Sequence, residues 1–152
     1  MKSNVSIENA EIQDIPALIK LLAILFGIEA DFQADVAKQT RGLTLLINAP
    51  ENGVIKVAKN QVGQVIGMVS VQLVISTAQG STSAWVEDMV IEEACRDKGV
   101  GKALLEAALI WAKGKGATRA QLLVDTENTA ALGYYAHLGW EITQLQARKI
   151  FL

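Results

Sequence analysis

The chain contains one cysteine and one histidine in 152 residues, and each scarcity closes off a class of protein. A lone thiol, Cys95, excludes an internal disulfide. His137 has no metal-ligand spacing around it, so no metal is expected. Charge of one sign is missing as well: the formal net charge is −2 with signs intermixed, which argues against a nucleic-acid partner. Long hydrophobic runs are also lacking. Residues 15–28 are interrupted by Lys20 and Gly27, and the other apolar runs are too short to span a bilayer. The opening Met1-Lys2-Ser3-Asn4 has no hydrophobic segment of the signal-peptide kind, so the expectation is a cytoplasmic protein with no membrane partner. Repeats, linkers and low-complexity tracts are absent. What remains, 51% hydrophobic and 20% charged residues, suits one soluble domain over residues 1–152.

Residues 5–9 alternate weakly and lead into Asp14-Ile15-Pro16, which reads as an N-cap with proline in the first helical turn. Ile15, Leu18, Ile19, Leu22 and Leu25 keep helical spacing, and a second helix is expected over residues 33–47, before Pro50 and Gly53. The period then changes. Residues 53–59 and 65–75 read as strands of a hairpin around Asn60-Gln61-Val62-Gly63, and residues 79–83 turn the chain into a strand ending at Ile91. Val100, Ala103, Leu104, Ala107, Ala108 and Trp111 mark one buried face of a long helix, with Lys113 and Lys115 at its end and Gly114 and Gly116 stopping it. Residues 119–124 supply a further strand, and residues 140–152 one or two more. The order βααβββαβαβ(β) is mixed α/β.

Between the strand ending at Ile91 and the long helix lies Arg96-Asp97-Lys98-Gly99-Val100-Gly101-Lys102. A strand, a glycine turn and a helix start make an anion site: glycine takes positive φ and lets backbone N–H groups approach closely, while the helix aims unpaired amides and its positive dipole end at the ligand. Phosphate is the natural guest. The segment lacks the Gly-Lys-Ser/Thr ending of a nucleoside-triphosphate loop and the Gly-x-Gly-x-x-Gly of a dinucleotide fold.

Downstream, Asn128, Ala131, Tyr135, Gly139 and Trp140 form Asn-x-x-Ala-x-x-x-Tyr-x-x-x-Gly-aromatic, a short helix with Asn128 as N-cap and Gly139 as its stop. Together the two motifs, covering residues 85–140, resemble the GCN5-related N-acetyltransferase (GNAT) superfamily. That resemblance implies a mixed, α+β-like fold: a largely antiparallel sheet of six to seven strands, a parallel pair flanking the coenzyme A cleft, and about four helices. It also implies acetyl-CoA as cosubstrate. Arg96, Asp97, Lys98, Gly99, Val100, Gly101 and Lys102 stand where the family holds the pyrophosphate. Met89, Val90, Ile91, Asn128, Ala131 and Tyr135 stand where it holds the pantetheine and thiol end. The activity implied is transfer of acetyl to a primary amine of a small molecule by direct attack in a ternary complex. A coenzyme A-binding sensor without turnover, or acetylation of a protein amine, stands beside it. A homodimer is implied by resemblance only.

In an extended strand Trp85, Glu87, Met89 and Ile91 point one way and Val86, Asp88 and Val90 the other. The run Val86-Glu87-Asp88-Met89-Val90 is similar to a family pattern in which the glutamate acts as general base, often through water. The plainer reading is a strand acid paired with a lysine or arginine. Tyr135 occupies the place of the family's general acid, which protonates the departing thiolate. Tyr134, about 100° away around the helix, reads as a packing residue, with an exchange of roles left open. A backbone N–H near Met89 or Val90 would meet the oxyanion. Cys95 and His137 read as structural and exposed, respectively.

Two positions depart from the family pattern. Asp97 replaces a usual glycine beside the pyrophosphate, where its charge opposes the ligand; it is the best support for a sensor. Gly133 sits inside the short helix without an evident reason. Glu29, Asp31 and Asp35 lie between the first two helices and read either as attraction for a cationic acceptor or as helix-end charges.

Overall fold

The computed structural model describes residues 4–28 and 34–152. Five strands form one sheet in the order β1-β2-β3-β4-β5: β1 is Ser6–Asn9, β2 Gly53–Lys59, β3 Val65–Ser76, β4 Ser81–Ile91 and β5 Ala117–Leu122. The first four run antiparallel to their neighbours, and β5 joins β4 in parallel. Helices α1 (Ile15–Ile28) and α2 (Val36–Ile47) precede β2, α3 (Val100–Gly114) crosses from β4 to β5, and α4 (Thr129–His137) follows β5.

Each face of the sheet has its own core. Leu18, Leu21, Leu22 and Leu43 from α1 and α2 close over Ile55, Val57, Met68 and Val90. On the other face Val100, Leu104, Leu105, Ala108 and Ala112 of α3 cover Val69, Val71 and Val86. Alternating side chains of one strand thus serve both cores, as the period-2 patterning requires. Glycine permits the close contact: a Cβ on Gly67 would stand 3.1 Å from Leu104 Cδ1 and 3.4 Å from the Val90 carbonyl oxygen.

The β2–β3 hairpin closes where the asparagine and glycine predicted it. The Asn60 side-chain oxygen accepts from the Val62 and Gln64 amides at 3.1 and 2.9 Å, and Gly63 takes φ +82°. Asp35 caps α2, accepting the Lys38 amide at 3.0 Å, so this acid is a helix-end charge. Glu29, Asp31 and the expected helix start at residue 33 lie outside the described residues. Asp14 does not cap α1 forward; its carboxylate accepts the Glu11 amide at 2.8 Å and pairs with Lys59 at 3.5 Å, tying the entry of α1 to β2. The turn before β4 falls on residues 77–80, not 79–83, because Gly80 supplies the positive φ that closes it.

Two expectations need correction. The sheet has five described strands rather than six to seven, since residues 141–152 form none. A strand needs a hydrogen-bonding neighbour as well as apolar residues, and this segment has no ladder partner among the described residues. The second concerns β4. Met68 pairs with Val90 and Ser70 with Glu87, so Val69 faces both Asp88 and Met89. This is a β-bulge, and Asp88 absorbs it at φ 54°. The side-chain alternation therefore slips by one: Trp85 and Glu87 share a face with Val90, not with Met89 and Ile91, which pack on the α3 side.

Candidate active site

The parallel ladder between β4 and β5 ends at Val86 and Leu122, while β4 runs on to Ile91. Beyond that point the two strands part. A cleft of about 430 Å³ opens there, with Met89, Val90 and Ile91 on one side, Asn128, Ala131, Tyr134 and Tyr135 of α4 on the other, and Arg96, Asp97, Gly99, Val100, Gly101 and Lys102 at one end.

That end has the backbone of an anion cradle. Gly99 precedes α3 in the left-handed conformation at φ 79°, with no side-chain cap, so the first amides of α3 are left for a ligand. Asp97 is also left-handed, at φ 62°. Gly101 allows a close approach: a Cβ there would stand a tight 3.1 Å from both Met89 Cε and Tyr134 Oη. Arg96 turns back to donate from Nε to the Ile91 carbonyl at 3.1 Å, bracing the loop against the end of β4. Lys102 lies 3.9 Å from Glu106 in an exposed pair one helical turn apart. Lys98 is exposed and does not line the cleft.

Helix α4 is fixed as the motif predicted. Asn128 accepts the Ala131 amide at 3.1 Å, and Gly139 leaves the helix at φ 93°. The two tyrosines meet edge to face at 5.4 Å between ring centres, and Tyr135 meets Trp140 in the same way at 5.9 Å. The buried hydroxyl of Tyr134 has no hydrogen-bond partner among the described residues. Burial, and secondarily the charge of Glu106, pushes its phenol above the ordinary value, so it stays protonated at neutral pH. Cys95 is half-buried beside the cleft, its Sγ 4.0 Å from Glu92, and His137 is exposed on α4.

Glu87 does not line the cleft; it stands on the α1–α2 face of the sheet, the face of Val90, one bulge away from it. With Asp88 it lines a second cavity of about 410 Å³ enclosed by α1, α2 and the strands, including Leu22, Phe26, Gln39, Leu43 and Gln72. Its carboxylate accepts the Trp85 indole N–H at 2.6 Å. Among the described residues no lysine or arginine forms an ion pair with it. Buried Ser70 donates to the Glu87 carbonyl at 3.0 Å and so pins the bulge from β3. Sequence reasoning missed the walls given by Leu25 and Ile28 of α1, and it named none of the side chains of α1, α2 and β3 that line the second cavity with Glu87. The apolar spacing of α1 was visible, but which strand it crosses is a matter of topology.

A family model described as "Acetyltransferase (GNAT) family" matches residues 21–140. The chain belongs to the GNAT acetyltransferase family. Among curated proteins it is 31% identical over 67 residues to an uncharacterized N-acetyltransferase of Methanocaldococcus jannaschii, a match that spans 44% of this chain and only 30% of that relative. Solved structures extend the likeness to the whole fold. A possible acetyltransferase from Clostridium difficile superposes with a TM-score of 0.84 at 16% identity, covering 99% of both chains. Glucosamine-6-phosphate N-acetyltransferase from Arabidopsis thaliana gives 0.77 at 22%, covering 97% of this chain and 98% of its own. AAC(6')-Iy, in complex with the bisubstrate analog CoA-S-monomethyl-acetylneamine, gives 0.77 at 21%, covering 99% and 97%. The expected GNAT fold, with its parallel pair beside the cleft, is the fold observed.

Proposed function

We propose that this protein transfers the acetyl group of acetyl-CoA to a primary amine of a small molecule by direct attack. One observation carries the reading: residues 87–91 of a single strand line both cavities, Glu87 and Asp88 the one under α1 and α2, Met89 to Ile91 the one beside α3 and α4. Two reactants seated in those cavities meet at the bulge.

The cleft residues fit acetyl-CoA, whose thioester supplies the activated acyl group. Amides from residue 97 through Lys102 hold its diphosphate, Met89 to Ile91 its pantetheine, and Asn128, Ala131 and Tyr135 flank the thiol end. An amine with an ordinary pKa near ~10 arrives as a cation. Glu87 attracts it and takes its proton, directly or through water. The amine nitrogen then bonds to the carbonyl carbon, a backbone N–H near Met89 or Val90 receives the oxyanion charge, and the carbon–sulfur bond breaks. Tyr135 gives the departing thiolate its proton, and the second proton of the attacking nitrogen, acidic once the carbon–nitrogen bond has formed, returns through water to the tyrosine oxygen, leaving a neutral amide. The orphaned, protonated hydroxyl of Tyr134 in the same cleft favours a second donor, and the two phenylalanine variants discussed below separate them.

The acceptor cavity narrows the substrate class. Its lining is apolar (Leu22, Phe26, Leu43, Leu46) with Gln39, Gln72, Asn52 and two acids, and none of its described lining residues is a lysine, arginine or histidine. A cationic amine on an apolar body fits; a phosphate or carboxylate on the acceptor would lie uncompensated near Glu87 and Asp88.

The test is release of free coenzyme A thiol across a panel of alkyl- and arylalkylamines, diamines, amino sugars, sugar phosphates, amino acids and lysine peptides. Turnover confined to amines without an anionic group supports the reading. Acetyl-CoA binding by calorimetry with no thiol release from any amine would point instead to a binding protein without turnover, for which the acid at Asp97 speaks.

A further inference from the structure

We infer, on the reading that Glu87 is the base, that Trp85 is its positioning residue: the indole N–H holds one carboxylate oxygen, so that the other is left to take the proton of the acceptor amine. Trp85 and Glu87 stand two residues apart on β4, ahead of the bulge, so their side chains leave the same face of the strand about 7 Å apart and can meet. They do: the indole nitrogen lies 2.6 Å from Glu87 Oε1. That is the short end of N–H···O distances, the length expected where the acceptor carries charge. Glu87 is exposed and Trp85 half-buried. An exposed glutamate left to itself samples many rotamers with water on both oxygens; a donor on the neighbouring ring selects one.

The chemistry of the indole makes the choice lasting. Its nitrogen donates and never accepts, and it can give its hydrogen either to a carboxylate oxygen or to the carbonyl oxygen of the neutral acid. Oε1 therefore keeps its bond before and after proton transfer. The proton leaving the ammonium nitrogen goes to Oε2, which forms the new O–H bond with one of its lone pairs, while the N–H bonding pair stays on nitrogen as the pair that attacks. The main chain of the same residue is held from the other side, since Ser70 donates to the Glu87 carbonyl at 3.0 Å. Backbone and side chain of Glu87 are thus each pinned by one hydrogen bond, the kind of support that keeps a reacting group in productive geometry. Trp85 stands opposite Gln72 of β3, a lining residue of the cavity, yet is not among the lining residues itself. It acts through Glu87. Among the described lining residues of that cavity the only other ionisable group is Asp88.

Trp85→Phe keeps an aromatic ring and removes the N–H. With the fastest amine of the panel above, kcat is expected to fall about tenfold, the effect of one hydrogen bond to a charged group, while acetyl-CoA affinity by calorimetry is unchanged. The double variant Trp85→Phe/Glu87→Gln should lose no more than Glu87→Gln alone, because without the base nothing remains to position. Losses that multiply in the double variant would show that Trp85 acts on something else and overturn the inference. So would a rate in Trp85→Phe equal to wild type when Glu87→Gln is slow. A Glu87→Gln variant as fast as wild type would instead remove the base itself, and the positioning role with it. A second measurement needs neither turnover nor a folded Trp85 variant: in the isotope-labelled protein the indole N–H signal of Trp85, assigned through bonds, should move in Glu87→Gln. A signal that stays in place means that the bond is not held in solution, and overturns the inference.

Discussion

Glu87 and Val90 lie on the same side of the sheet although they are three residues apart on β4, because Val69 of the neighbouring strand faces two residues and the strand slips by one between them. Glu87 thereby faces the cavity under α1 and α2, while the backbone just beyond it borders the cleft beside α3 and α4. If Glu87 is the base, Glu87→Gln lowers kcat by about 10²-fold or more while acetyl-CoA affinity is unchanged. Rate against pH and calorimetric titration check both halves. An unaltered kcat would remove Glu87 from the chemistry.

Ser70 holds the bulge by donating to the Glu87 carbonyl. Ser70→Ala leaves that carbonyl short of a donor in a buried place and is expected to cost about 1–2 kcal/mol in urea unfolding. Turnover should fall further than the stability loss accounts for, since the carboxylate and the oxyanion amide are both placed by the bulge.

The tyrosines are separated by paired variants. Tyr135→Phe is expected to lower kcat roughly 10²-fold, and Tyr134→Phe to leave it within a few-fold. The reverse pattern would assign the acid to Tyr134. That phenol also has a pH signature. Its folded pKa is raised, so above the ordinary phenol value near ~10 the unfolded state holds fewer protons than the native one, and stability falls as pH climbs through the folded value. Alkaline melts of Tyr134→Phe should lack that decline.

Asp97 adopts a left-handed backbone, φ 62°, which glycine takes without strain. Asp97→Gly removes a negative charge next to the diphosphate cradle, and acetyl-CoA binding should hold or tighten on titration. A tenfold loss would show that the carboxylate helps the ligand.

Gly133 is exposed within α4, and a Cβ there meets nothing within 4 Å. Gly133→Ala should therefore stabilise by up to about 1 kcal/mol, seen as roughly 2–4 °C in Tm for a domain of this size.

Much of this site was legible in the residues. Gly99 takes the left-handed turn expected of it, whereas Gly101, expected to take positive φ as well, lies inside α3 and is approached by Met89 and Tyr134. Asn128 and Gly139 bounded α4 to the residue, since capping chemistry is local. What failed was nonlocal. Strict alternation along β4 misplaced Met89 and Ile91 because a bulge is set by the partner strand, and nothing between residues 85 and 91 signals that Val69 must face two neighbours. The orphaned hydroxyl of Tyr134 was not legible, because it arises only when the fold brings Gly101 up to it. The lining of the second cavity was illegible for the same reason: Leu22, Gln39 and Gln72 stand on three elements that no sequence spacing connects.

The bulged strand also divides the chain by task. Leu22, Phe26, Gln39, Leu43 and Gly53, with Ser70, Gln72 and Glu87, wall the proposed acceptor cavity, whereas residues from Met89 onward form most of the cleft proposed for the cofactor. On the proposed reading, substitutions on α2 retune which amine is taken without loosening the grip on the acyl carrier, so acceptor choice is free to drift while the donor stays the same.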